Sequence, residues 1–105
     1  MLLPAEIESK TLIPALRAIL AKKLAEEHDI REDEISKMLG VTQAAISNYI
    51  RGTRGDPSLI AKLLAEKQVA QLIDELCDHL SSDLAYTLQV FLNLLDYVIT
   101  LNLVY

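Results

Sequence analysis

Residues Glu32–Arg51, EDEISKMLGVTQAAISNYIR, restrict the fold more than any other stretch of the chain. A short amphipathic run ends at Gly40, and a second opens just beyond it behind Thr42. Two short helices joined by a three- or four-residue turn meet at a steep angle, and that geometry selects residue types. The turn needs a residue that takes positive φ at low cost, and Gly40 supplies it. The first helix needs a small side chain where the second crosses it, which Ser36 provides. Apolar groups must fill the angle, and Ile35, Leu39, Val41, Ile46 and Tyr49 fall at those places. The segment therefore predicts helices over 32–39 and 43–51. Glu32, Asp33 and Glu34 favour the first N-terminus through the helix dipole, and Thr42 caps the second. Gly40 and Gly52 stop them.

Removing the inward positions leaves Thr42, Gln43, Ala44, Ser47, Asn48 and Arg51 on the outer face of the second helix. These are small groups, two carboxamides and a guanidinium. A carboxamide both donates to and accepts from an adenine edge, while Ala and the Thr methyl fit against a thymine methyl. Arg51 or Arg54 at the helix end is placed to hold phosphate. Thr42 has two uses, as cap and as contact. The stretch Gly40–Gly55 contains no Asp or Glu, so no carboxylate within it repels a nucleic-acid backbone.

The remaining chain also reads as helix, because Leu, Ile, Ala, Lys and Glu dominate and alternating β-branched runs are absent. Leu16, Ile19, Leu20 and Leu24 recur at helical spacing, with Pro14 near the start, and predict a helix over 13–28. Asp29 and Ile30 make a tight connection. Asp56 caps a further helix that opens with Pro57 and carries Leu59, Ile60, Leu63, Leu64, Val69, Leu72, Ile73, Leu76 and Leu80, predicting one helix from 57 to about 80. Ser81, Ser82 and Asp83 read as a turn before a final helix, about 83–103. The expected architecture is all-α, with five helices. Residues 1–56 form the helix-turn-helix region and 57–105 a two-helix dimerisation region.

Net charge is −5, which at first argues against a polyanionic partner. Its distribution reverses that reading. Residues 1–56 carry eight basic against nine acidic side chains, and residues 57–105 carry two against six. Nucleic acid responds to the local field within a Debye length of ~8–10 Å, so the face around Arg51 and Arg54 decides. Cys77 is the single cysteine and reads as a small buried residue; with His28 and His79 it falls short of a zinc set. No nucleophile motif, phosphate-cradling loop or paired-carboxylate site stands out, so no enzyme and no cofactor are expected. The start, Met1-Leu2-Leu3-Pro4 followed by Glu6 and Glu8, lacks the features of a secretory signal, and the expected compartment is the cytoplasm.

The run LGVTQAAISNYIRGTRG closely resembles the recognition region of the lambda-repressor-like (Xre/Cro) helix-turn-helix family, most specifically over Leu39–Ser47. The preceding IPALRAILAKKLAEEH is similar to the first helix in a set of small archaeal regulators, and the resemblance covers about residues 12–56. It implies that the second helix of the motif enters a major groove of double-stranded DNA, with dimers spanning adjacent turns. It further implies base reading by Gln43, Ala44, Ser47 and Asn48, with Thr42, Arg51 and Arg54 nearer the backbone. Two positions depart. Where the family commonly has a Ser, Thr or Asn cap followed by a Gln that approaches phosphate, this chain has Arg31 and Glu32, which leaves open whether Glu32 turns from the DNA or weakens binding and whether Arg31 compensates. Many archaeal relatives carry a Cys-containing tail, and here only Cys77 remains, which argues against a metal or redox role.

The last helix has two apolar stripes, Leu84, Leu88, Phe91, Leu92, Leu95 and Val98, and Val90, Leu94, Tyr97, Leu101 and Val104. A helix apolar on two sides must be covered on two sides. That predicts a homodimer through residues 83–105 with help from 57–80, anchored by Tyr86, Tyr97 and Tyr105. The rival for Leu84–Tyr105 is a membrane span, disfavoured by Asp96 near its middle and by Asn93 and Asn102. A second function class stays open: a protein-interaction module, antitoxin- or adaptor-like, whose apolar tail docks on a partner protein. No small-molecule ligand is evident.

Overall fold

Pro14 lies in the first turn of helix α1, Ile13–Glu26, where its missing N–H breaks no helical hydrogen bond. The computed structural model describes residues 12–79, 91–94 and 96–99. These residues are helical or in short connections, with no strand among them, so the fold is all-α as expected. The chain divides into two compact units, Met1–Ile60 and Ala61–Tyr105.

In the first unit, α1 buries Ala15, Leu16, Ala18, Ile19, Leu20, Ala21 and Leu24. That is wider than the stripe of leucines and isoleucine suggests, because α1 packs against both helices that follow. Its alanines let those neighbours approach closely. Lys22 and Glu26 face solvent. The helix ends two residues earlier than the periodicity predicts. The N–H groups of Glu27 and His28 both turn onto the Lys23 carbonyl, at 2.8 and 3.3 Å. Asp29 then takes φ +57°, and the Ile30 N–H reaches the Leu24 carbonyl at 3.0 Å. Short polar Asp tolerates that left-handed step better than most residues.

Helices α2, Glu32–Leu39, and α3, Gln43–Arg51, match their expected bounds. Thr53, Arg54 and Gly55 lead to α4, Pro57–Ala65, which contains the division between the units. Asp56 caps α4 as expected, since its Oδ1 accepts from the Ser58 N–H at 2.9 Å. Gly55 has a role beyond its loop. At φ +90° it lies so close to α1 that a Cβ would sit 3.2 Å from the Ala18 Cβ and 3.5 Å from the Pro14 carbonyl oxygen. The Ile60 Cδ1 would be 3.3 Å away.

The single helix expected over 57–80 is two helices. The helix is interrupted at Glu66, whose N–H bonds to the Leu63 carbonyl at 3.3 Å while its own carbonyl accepts from the Ala70 N–H, opening α5, Lys67–His79. Leu59 and Leu63 are buried in α4, and Val69, Ile73 and Leu76 in α5. At ~100° per residue these positions would share one side of a continuous helix, so the apolar periodicity carries no sign of the break.

In the second unit Val69, Ile73, Leu76 and Cys77 share the buried side of α5, opposite exposed Lys67, Gln71, Asp74 and Asp78. Residues 91–94 and 96–99 are helical, with Leu94 and Val98 buried. Of the expected final helix, residues 83–90 and 100–103, with Tyr86 and the Ser81–Asp83 turn, lie outside the described residues, as does Tyr105. Among the described residues no helix is long and apolar enough to cross a membrane.

Two glycine substitutions separate backbone strain from crowding. Gly40→Ala places a methyl in open space at φ +69° and should cost only the left-handed penalty, about 1–2 kcal/mol. Gly55→Ala adds contacts on Ala18 and Pro14 to the same penalty. Denaturant unfolding should show Gly55→Ala to be the more destabilised of the two.

Candidate nucleic-acid interface

The interface is built from the turn outward. The C-cap residue of α2, Gly40, is left-handed, and its N–H bonds to the Ser36 carbonyl. The Val41 N–H reaches the same carbonyl at 3.1 Å. Ser36 is half-buried, and its hydroxyl donates to the Asp33 carbonyl at 2.6 Å, so the small residue at the crossing is satisfied within its own helix. Thr42 then extends, with φ −73° and ψ 156°, and its Oγ1 accepts from the Ala45 N–H at 3.1 Å. One of the free donors at the start of α3 is thereby met.

Of the expected plugs, Ile35 and Ile46 are fully buried and Tyr49 is 2% exposed, while Leu39 and Val41 are half-buried. Ala45 joins the inner side of α3. At ~100° per residue, Ala45, Ile46 and Tyr49 occupy one arc of about 100°, and Ser47 and Arg51 stand near the middle of the opposite side. Gln43 and Ala44 flank them, both exposed, and Asn48 lies half-buried at the edge. Thr42 and Arg54 are exposed at either end of the helix.

Hydrogen bonds prearrange several of these groups. The Arg51 Nη2 donates to the Asn48 Oδ1 at 2.7 Å, leaving the Asn48 amide hydrogens directed elsewhere. The Asn48 carbonyl accepts from both the N–H and the hydroxyl of Thr53, at 3.0 and 3.1 Å, closing the helix end. The Arg54 guanidinium carbon lies 5.2 Å from the centre of the Tyr49 ring, within cation–π range. Ser47 donates its hydroxyl to the Glu32 Oε1 across the two helices. Sequence reasoning noticed Glu32 as a departure at the start of α2 but could not place it against Ser47, because that contact joins residues fifteen positions apart.

Arg31 does not neutralise Glu32. It forms a forked pair with Asp33, Nε to Oδ1 at 3.1 Å and Nη2 to Oδ2 at 2.7 Å. The hydrogen bond to Arg31 holds the Asp33 carboxyl below the usual range, and Asp33 in turn raises Arg31. Both groups are solvated, so the pair contributes little to stability. The exposed guanidinium groups of α3 and its following loop are thus Arg51 and Arg54. Among the described residues no group of three or more His, Cys, Asp or Glu could hold a metal ion.

A glycine turn, a capped second helix buried on one arc, and an outer side of amides and guanidinium groups define a DNA-binding helix-turn-helix domain. Residues 22–66 match the helix-turn-helix family model, of the lambda-repressor/Xre-like kind, whose members are DNA-binding regulatory domains. No curated relative and no solved structure matches the chain.

The cap at Thr42 offers a stability test independent of DNA. Thr42→Ala should lower unfolding free energy by about 1 kcal/mol, and Thr42→Ser should retain most of it. Chemical denaturation monitored by helical circular dichroism measures both.

Proposed function

We propose that the protein is a sequence-specific transcription regulator that acts as a homodimer, with α3 lying in the major groove. The observation that carries this is the division of α3: Ala45, Ile46 and Tyr49 are buried, and Gln43, Ala44, Ser47, Asn48 and Arg51 lie on the other side. Gln43, Ala44, Ser47 and Asn48 read base edges, while Thr42, Arg51 and Arg54 hold the backbone. Residues 1–56 contact DNA and residues 57–105 bring two copies together. A twofold assembly presents its recognition helices about 34 Å apart, one turn of duplex, to a near-palindromic operator.

Exposed apolar groups support the dimer. Leu92 is 59% and Ile99 44% exposed; seven positions apart, they would share one side of the final helix expected over 83–103. Leu64, expected on the apolar side of its helix, is 44% exposed. These groups also favour the second reading, in which a different protein covers the tail. Light scattering separates the two: a tight dimer of the isolated chain supports self-association, and an aggregating monomer supports a missing partner. Leu92→Glu should convert a dimer to monomer and, with it, remove most operator affinity in gel shifts.

Selection of bound duplexes from a random pool tests DNA recognition, symmetry and half-site spacing together. On the selected operator, Gln43→Ala and Asn48→Ala should each lower discrimination by roughly tenfold, the scale of one good base contact. Arg54→Ala should weaken all sequences alike. Silent Gln43 and Asn48 variants would show that other residues read the bases.

A further inference from the structure

Glu32 brings a carboxylate to the DNA side of the domain. It is half-buried in the first turn of α2, and its Oε1 accepts the hydroxyl hydrogen of Ser47. Ser47, itself half-buried, lies on the side of α3 opposite Ala45, Ile46 and Tyr49. The neighbouring cation, Arg31, is committed to Asp33. A negative charge therefore accompanies the recognition helix toward a polyanion, and elementary electrostatics makes that unfavourable unless the carboxylate meets a donor.

A carboxylate accepts hydrogen bonds at about four lone-pair sites, and the Ser47 hydroxyl occupies one of them. The remaining sites need donors. Phosphate oxygens, guanine O6 and N7, and thymine O4 are all acceptors and repel it. The donors that base edges present in a major groove are exocyclic amines, on cytosine N4 and adenine N6. Adenine places its N7 acceptor beside the amine, whereas the cytosine base offers the amine without an acceptor of its own in that groove.

We propose that Glu32, held by Ser47, is a specificity-determining residue that selects cytosine through its N4 amine at one base pair of each half-site and rejects guanine there. The inference rests on the reading of α3 as the groove-bound helix. Ser47 then also positions the carboxylate: its hydroxyl hydrogen is committed to Glu32, and it reads a base edge only as an acceptor through its oxygen. The selectivity has a cost: the same charge weakens binding to every site that lacks the amine, including non-specific DNA.

The test is duplex selection from a random pool with the full chain and with Glu32→Gln, followed by gel shifts on the selected sites. Gln keeps an oxygen that can accept from Ser47, so the helix pair is preserved, and thermal melting verifies this. Expected is a fixed cytosine in each wild-type half-site, lost in Glu32→Gln, with the variant binding the guanine-substituted site roughly tenfold tighter than wild type does. Identical selected sites and affinities for the two proteins would overturn the inference while leaving DNA recognition by α3 intact. Uniformly tighter binding by Glu32→Gln with an unchanged base preference would overturn it as well, reducing Glu32 to general repulsion. If the wild-type chain selects no duplex, the groove-binding reading fails and this inference falls with it. Should Glu32→Gln not fold, Ser47→Ala releases the carboxylate from the other side. It should blur the cytosine position and any base that Ser47 itself contacts while leaving those read by Gln43 and Asn48 sharp, and a cytosine position that stays fixed would overturn the pair.

Discussion

The burial of one arc of α3 against its two partners is the constraint on which the domain depends. Ile46 is fully buried and Tyr49 nearly so, with α1 and α2 both packed on the helix. Burying each such side chain stabilises the fold by about 1.5–3 kcal/mol, and a rotation of α3 about its axis would forfeit several at once. The outer side of the helix is fixed by what the inner side cannot surrender. Gly40 and Thr42 complete this arrangement through the turn: the Gly40 N–H bonds to the Ser36 carbonyl, and the Thr42 Oγ1 accepts from the Ala45 N–H.

Local features of the sequence account well for the first unit. The helix limits at Glu32–Leu39 and Gln43–Arg51 follow from residues within a few positions: acids in a first turn, a threonine cap, and glycines at both ends. The inner positions Ile35, Ile46 and Tyr49 follow from helical spacing. Alanine carries no such signal. Ala15, Ala18 and Ala21 are buried because neighbours surround α1, and hydrophobic periodicity gives small residues little weight. The same limit hid Gly55, whose close approach to Ala18 depends on a loop returning to a helix some forty residues earlier.

No glycine or proline marks the break at Glu66, each half is a good amphipathic helix, and the buried positions of the two halves would continue one stripe, so nothing local in the sequence announces it. At the interface, the outward set from Gln43 to Arg51 was accessible from spacing, whereas the pairing within it was not. Whether Asn48 is bonded to Arg51, or Ser47 to Glu32, depends on rotamers and on tertiary proximity.

Arg54 stacked on Tyr49 joins an exposed cation to a core ring. An arginine side chain loses about 2 kcal/mol of rotamer entropy when it is held in place. Here part of that ordering occurs when the domain folds. The loop beyond α3 thus inherits order from the interior, and in the backbone-holding role proposed for Arg54 a change of ring at position 49 would be felt five positions away, as a larger ordering cost on binding.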